Sequence, residues 1–119
     1  MYSIPDDFKI ESLKDASVSQ LSFSVNTITI SFENSDFINI QGSFSISFDQ
    51  EKFEYAEIFP VKEDLGFLRL LGKKVTNVEL NLKRDTLKLE FEGNIILELV
   101  GTEMYESFTI GIQGKEALV

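Results

Sequence analysis

The chain of 119 residues contains no cysteine, no histidine and no tryptophan. Without cysteine, it has neither a disulfide framework nor a thiolate that could act as a nucleophile or a metal ligand. Without histidine, it lacks the usual general base of serine and cysteine hydrolases and the commonest ligand of transition metals. Without tryptophan, an aromatic platform for carbohydrate binding is weakly supported. These absences argue against most familiar enzyme classes.

Basic residues are scarce relative to acidic ones, with 11 Lys and Arg against 20 Asp and Glu, and the net charge is −9. Most of the excess lies in residues 1–59, which hold 10 acids and 3 bases, whereas residues 60–119 hold 10 acids and 8 bases. Negative charge repels nucleic-acid phosphates and anionic membranes, so we expect neither as a direct partner. Negative charge also keeps small domains soluble, which is one explanation of the excess of acids. The other explanation is an acidic face that binds a basic protein.

Long hydrophobic segments are also missing. The densest apolar run, "NIILELVG" at residues 94–101, has the length of a strand and is interrupted by Glu98. A membrane-spanning helix needs about 20 predominantly apolar residues. The amino-terminal "MYSIPDDFKI" has no basic region followed by an apolar run, so it does not match a secretory signal. The sequence therefore predicts a soluble, cytoplasmic protein.

Two stretches of the chain share one pattern. "TITISFEN" begins at Thr27 and "TLKLEFEG" begins at Thr86, which is 59 residues later, and Gly42 falls on Gly101 at the same offset. The turn that precedes the motif is two residues longer in the second copy, at a place where hairpins tolerate insertions. The pattern predicts one domain, residues 1–119, with an internal duplication.

Both copies alternate apolar and polar residues with period two, as half-buried antiparallel strands do. Strands are expected at about 18–24, 27–33, 36–41 and 43–49, and again at about 75–82, 86–92, 94–100 and 105–112. In the strand at 75–82, Val78, Leu80 and Leu82 alternate with polar residues before a turn. The predicted fold is mainly β: an antiparallel β-sandwich or strongly bent sheet built from two repeated β-meanders, about 18–49 and 75–112. At most one or two short helical turns are expected, near "IESLKDAS" and near Leu65 to Leu71.

The segment between the copies, "DQEKFEYAEIFPVKED" at residues 49–64, surrounds Phe53, Tyr55 and Phe59 with carboxylates. Acids around aromatic anchors can bind a basic protein surface, because charge raises the association rate and aromatic rings supply buried contact area. The alternative is an amphipathic edge strand, ending before Pro60, with one solvated side. The candidate partner-binding residues are Asp49, Glu51, Glu54, Tyr55, Glu57, Glu63 and Asp64.

Carboxylates elsewhere do not form a recognisable catalytic or metal-binding pattern. Neighbouring acids such as Asp6 and Asp7 point to opposite faces if they lie in a strand, and no calcium-binding loop motif occurs. The serines of "GSFSISF" have no base to activate them. We therefore expect no catalytic residue, no metal site and no cofactor.

The second copy resembles a group of small bacterial proteins with the form L-x-G-K-x-V, alternating apolar strands and a terminal Y-E-S. The matching stretch here is Leu70-Leu71-Gly72-Lys73-Lys74-Val75, followed later by Tyr105-Glu106-Ser107. Proteins of this group are often immunity proteins, including those of contact-dependent growth inhibition systems, which bind and neutralise a toxin domain that is commonly a nuclease. The resemblance covers about a third of the chain and implies no catalytic residue. The Y-E-S segment is equally a packing motif.

The resemblance and the charge lead to one expectation for function. A nuclease has a basic active-site cleft, so an acidic protein without catalytic residues can block it. We expect an immunity protein that binds and neutralises a cognate bacterial toxin domain, a nuclease of the RNase type, by occluding its basic active-site surface. The alternatives are a small-molecule-binding β-barrel and a structural subunit that forms a homodimer through an exposed strand edge.

Overall fold

A computed structural model of the chain describes residues 3–102 and 106–119. The described residues form ten strands and two 3₁₀ turns, η1 and η2. Their order is η1 (Ile10–Leu13), β1 (Val18–Phe23), β2 (Ile28–Phe32), β3 (Phe37–Ile40), β4 (Phe44–Phe48), β5 (Glu51–Tyr55), η2 (Phe67–Leu70), β6 (Val75–Leu80), β7 (Thr86–Phe91), β8 (Ile95–Val100), β9 (Phe108–Ile112) and β10 (Lys115–Leu118). The mainly β prediction is confirmed, as are both short helical turns.

The strands form two antiparallel sheets of five strands each. The first sheet has the order β1-β2-β3-β9-β10, and the second has the order β5-β4-β8-β7-β6. Each half of the chain therefore builds a three-stranded meander and then sends its fourth and fifth strands into the sheet of the other half. The expected four-stranded meander is wrong in this respect, because β4 pairs with β8 and β9 pairs with β3.

Two glycines lie where the chain passes from one sheet to the other. Gly42 precedes β4, and a Cβ placed on it would lie 3.0 Å from the Cα of Ser107. Gly101 follows β8, and its Cβ would lie 2.8 Å from the carbonyl oxygen of Asp85. Close approach of backbone at both crossings therefore explains the glycine that recurs 59 residues later.

The two halves meet through reciprocal backbone hydrogen bonds just before β1 and β6. The amide of Asp15 donates to the carbonyl of Val75 (2.8 Å), and the amide of Gly72, 57 residues after Asp15, donates to the carbonyl of Val18 (2.9 Å). Ser17 forms an antiparallel bridge with Lys74, its own counterpart in the second half. These bonds have the pattern of an approximate twofold axis, and they join the two sheets at one corner. The other edges, β5 and β10, pair on one side only among the described residues.

The inward-facing residues of both sheets form one apolar core. Its fully buried members include Ile28, Ile38, Leu89, Leu97 and Ile110. The two five-stranded sheets enclose this core without closing into a barrel, so the β-barrel alternative does not describe this fold. Ser107 of the Y-E-S segment is also buried, whereas Tyr105 lies outside the described residues.

The sequence pattern fails at the ends of some strands. Leu82 fits the period-two alternation but lies beyond the end of β6 and is fully exposed. Strand β10 was not predicted, because "KEAL" is short and has no alternation; it follows a two-residue turn, Gln113-Gly114, with φ of 51° and 85°. Such positive φ values suit the tight turn of a hairpin.

Replacing Leu89 with alanine should lower the free energy of unfolding by about 2–5 kcal/mol, because it leaves a cavity in a fully buried site of β7. Leu82→Ala is the matched control, and it should change the free energy of unfolding by less than about 0.5 kcal/mol. Urea denaturation followed by fluorescence or circular dichroism measures both. Equal effects of the two substitutions would contradict the assignment of Leu89 to the core.

Candidate functional site

An open groove of about 310 Å³ lies along the free β5 edge, beside η2 and the loop before it. We call it the acidic groove. It is lined by Phe48, Glu51, Phe53, Tyr55, Glu63, Asp64, Leu65, Gly66 and Arg69. Its lining combines three carboxylates, three aromatic rings and one cation.

The β4–β5 hairpin supplies one wall of the acidic groove. The turn residues Asp49 and Gln50 have φ of 51° and 75°, so β5 begins directly at Glu51, opposite Phe48. Alternation along the strand then places Glu51, Phe53 and Tyr55 on the groove side. The Tyr55 ring is fixed by stacking on buried Phe44, with 4.9 Å between ring centroids.

The loop before η2 supplies the other wall, and it is held at several points. Ile58 is buried in the core, and the amide of Val61 donates to the carbonyl of Val25 (2.7 Å). The Asp64 carboxylate accepts a hydrogen bond from the amide of Leu68 (3.2 Å), which satisfies a free donor at the start of η2. The loop therefore presents Glu63 and Asp64 from a supported backbone.

Gly66 is required where this loop passes the hairpin. Its φ is 85°, and a Cβ at this position would lie 2.6 Å from the Phe48 ring. Because glycine alone combines this conformation with this contact, it lets η2 approach the floor of the acidic groove closely.

Arg69 is the cation that lines the acidic groove. Its guanidinium carbon lies 4.5 Å from the centroid of the Phe48 ring, within the range of a cation–π contact. Among the described residues, the ion pairs within 4.0 Å do not include Arg69, Glu51, Glu63 or Asp64. The three carboxylates therefore face the groove without an ion-pair partner, and the formal charge of the lining is negative.

The structure brings together four of the seven predicted partner-binding residues: Glu51, Tyr55, Glu63 and Asp64. The other three lie elsewhere. Asp49 is a turn residue whose carboxylate accepts a long hydrogen bond from Asn94 (3.5 Å). Glu54 lies on the opposite face of β5 and forms an ion pair with Lys52 (3.4 Å). Glu57 is exposed and does not line the acidic groove.

The sequence reasoning missed several lining residues. Phe48 belongs to the preceding strand, and Leu65, Gly66 and Arg69 follow the acidic segment. Phe48 could have been found from the sequence, because a two-residue turn at Asp49-Gln50 pairs Phe48 with Glu51. Arg69 has no such signal, because its contact with Phe48 depends on how η2 packs against the sheet.

The chemistry available to the acidic groove is binding of a cation. No group of three or more acids in residues 3–102 and 106–119 could hold a metal ion. Aromatic rings beside carboxylates instead suit a lysine or arginine side chain, whose hydrocarbon stem packs on the rings while the charge pairs with the acids.

Comparison of the chain with protein-family models, with curated protein sequences and with solved structures finds no match. Within the part of the chain that the structure describes, no helix has the length and apolar character needed to cross a bilayer.

Asp64→Ala should lower the free energy of unfolding by about 1 kcal/mol, because the amide of Leu68 loses its acceptor. The neighbouring Glu63→Ala removes the same charge without removing a hydrogen bond, and should change stability by less than about 0.5 kcal/mol. Urea denaturation of the two variants separates the roles. If both lose the same amount, the hydrogen bond is not what Asp64 contributes.

Proposed function

We propose that this protein is a non-catalytic immunity protein that binds and neutralises a cognate bacterial toxin domain in the cytoplasm of the cell it protects. The toxin is a basic protein, and a nuclease is the first candidate, RNases before others. Inhibition occurs by occlusion of the basic surface of the toxin rather than by chemical modification of it.

The acidic groove is the observation that carries this proposal. Its carboxylates have no ion-pair partner within 4.0 Å among the described residues, and Phe53, at 40% exposure, leaves apolar ring surface beside them. Phe59, on the loop before η2, is 60% exposed. Exposed aromatic rings next to acids without an ion-pair partner suit a basic partner, which would cover both at once.

Charge on the outer face of the second sheet adds to this field. Glu79, Glu90 and Glu98 lie on that face, with Lys88 opposite Glu79 and Glu98 on the neighbouring strands. Together with a net charge of −9, these residues attract a basic domain from a distance and raise its association rate, in a way that salt screens.

A homodimer is the second candidate, favoured by the charges of β5. Phe48 and Glu51 close a two-residue hairpin turn, so the alternate residues Lys52 and Glu54 direct their backbone groups toward the free edge. Antiparallel pairing of two β5 strands centred on Phe53 would set Lys52 of each copy opposite Glu54 of the other. This register alone brings opposite charges together.

Sedimentation velocity over a range of concentrations tests the homodimer. Lys52→Glu should shift the protein to monomer, because glutamates then face each other across the paired strands. The double exchange Lys52→Glu with Glu54→Lys should restore association. A concentration-independent monomer for the unmodified chain would remove this candidate.

Co-expression with nuclease domains encoded beside the gene tests the leading proposal. A cognate toxin should arrest growth when expressed alone, and the protein should restore growth and co-purify with it. Absence of both rescue and complex across these domains would overturn the proposal.

In a complex so identified, Glu51→Lys combined with Glu63→Lys should weaken binding by about 10- to 1,000-fold and reduce its dependence on salt, because like charges then meet at the contact. The matched control is Glu33→Lys with Glu116→Lys, which makes the same change in net charge at exposed residues that do not line the acidic groove. Isothermal titration calorimetry at two salt concentrations measures both. Equal weakening in the two variants would move the contact out of the groove.

A further inference from the structure

The loop that forms the acidic groove has a counterpart in the other half of the molecule. Residues 60–66 precede η2 as residues 3–9 precede η1, with an offset of 57. The amide of Ile4 donates to the carbonyl of Arg84, and the amide of Val61 donates to the carbonyl of Val25, both at 2.7 Å. Each bond joins the loop of one half to the turn between the first two strands of the other half. The two loops therefore occupy equivalent positions.

The edge strands beside these loops are equivalent as well. Glu51 begins β5 and Lys115 begins β10, and each follows a two-residue turn with positive φ at both positions. Glu51 pairs with the last residue of β4, and Lys115 pairs with the last residue of β9. Glu51 and Lys115 are therefore the same position in the two halves, with opposite charge.

At the first-half loop, residues 3–9, cations supplied by the second half neutralise the carboxylates. The ammonium of Lys115 lies 3.2 Å from the carboxylate of Asp7, and Nε of Arg84 lies 3.2 Å from the carboxylate of Asp6. Both pairs lie at the surface. The first-half loop thus binds an ammonium and a guanidinium, both supplied by the second half.

In the acidic groove the same carboxylates are kept and both cations are replaced. Asp64 and Glu63 correspond to Asp7 and Asp6, whereas Glu51 stands at the position of Lys115 and Val25 stands at the position of Arg84. At these four positions the groove has one acid more and two bases fewer than its counterpart, and Arg69, which stands at the position of Ser12, adds one base to the lining. Arg69 does not fill the place, because its guanidinium stacks on Phe48.

We infer that the acidic groove is a receptor for a lysine side chain of another protein. Its ammonium binds between Asp64 and Glu51, at the place that Lys115 takes beside Asp7. Its four-carbon stem packs along Phe53 and Tyr55, which line the same groove. The inference rests on the proposed function only for the identity of the protein that carries the lysine.

Titration of the ¹⁵N-labelled protein with Nα-acetyl-lysine-N-methylamide tests the receptor directly. Saturable amide shifts should appear at residues 51–55 and 63–69, with a dissociation constant of about 1–10 mM. The norleucine analogue, which has the same stem without the ammonium, should give no saturable shift. Shifts of equal size on the outer face of the second sheet, or none up to about 50 mM, would overturn the inference.

Glu51→Lys should reproduce the counterpart site, since its ammonium can pair with Asp64 as Lys115 pairs with Asp7. The melting temperature should rise by about 1–4 °C, and the affinity for the lysine probe should fall at least 10-fold. Glu116→Lys is the control for net charge and should leave probe binding unchanged. A Glu51→Lys variant that still binds the probe would contradict the proposed position of the ammonium.

Lys115→Glu is the reverse exchange, and it should create a second probe site with new shifts at residues 6, 7 and 115–117. A lack of new shifts would show that the repeat position does not determine lysine binding. The probe experiments involve no toxin, so they fail separately from the proposed function. A protein that binds the lysine probe in the groove but rescues no toxin retains the receptor and loses the immunity role.

Discussion

The exchange of strands between the two halves is the constraint on which the rest of the structure depends. Each half places its fourth and fifth strands in the sheet of the other, so β4 completes one sheet and β9 completes the other. Without the opposite half, neither meander can bury its apolar face, and the outer edge of its third strand has no pairing partner. The reciprocal bonds between Asp15 and Val75 and between Gly72 and Val18 fix the corner where the halves meet. Both halves must therefore fold together, and the acidic groove at β5 and the ion pairs at β10 are formed by residues that only this exchange brings near each other.

A repeated scaffold makes differences between its halves informative. The two loops, the two hairpin turns and the two edge strands are positioned by equivalent backbone contacts, so they do not account for the contrast between Lys115 and Glu51. That contrast concerns charge alone. The loop of residues 3–9 is neutralised by Lys115 and Arg84 of the opposite half, whereas Glu51, Glu63 and Asp64 have no ion-pair partner among the described residues and lie beside exposed aromatic surface. Unpaired like charges repel one another and are favourable only when a partner brings opposite charge.

Strand geometry explains why the acidic segment was predicted as one surface and is divided in the structure. Composition places Glu51, Glu54 and Glu57 in one run, but successive side chains of a strand point to opposite faces. Glu51 and Tyr55 share a face across four residues, whereas Glu54 joins Lys52 on the other face. Asp49 was predicted as a partner contact and is a turn residue, because a two-residue hairpin needs positive φ at that position. Composition already assigned Glu63 and Asp64 to the site, and buried Ile58 and the hydrogen bond from the Leu68 amide to Asp64 hold their loop in place.

The sequence by itself determined the class of fold, the duplication of the pattern and most strand positions, because period-two alternation and turn residues are local properties of the chain. Alternation correctly marked Leu87, Leu89 and Phe91 as buried. Only the tertiary structure decided which strands share a sheet, since hydrophobic patterning specifies a buried face and not the neighbour across it. It also decided that Glu51 and Asp64 line one groove while Lys115 lies beside Asp7, relations between residues that are not neighbours in the chain. Charge at a site depends on such neighbours, and a linear pattern does not contain them.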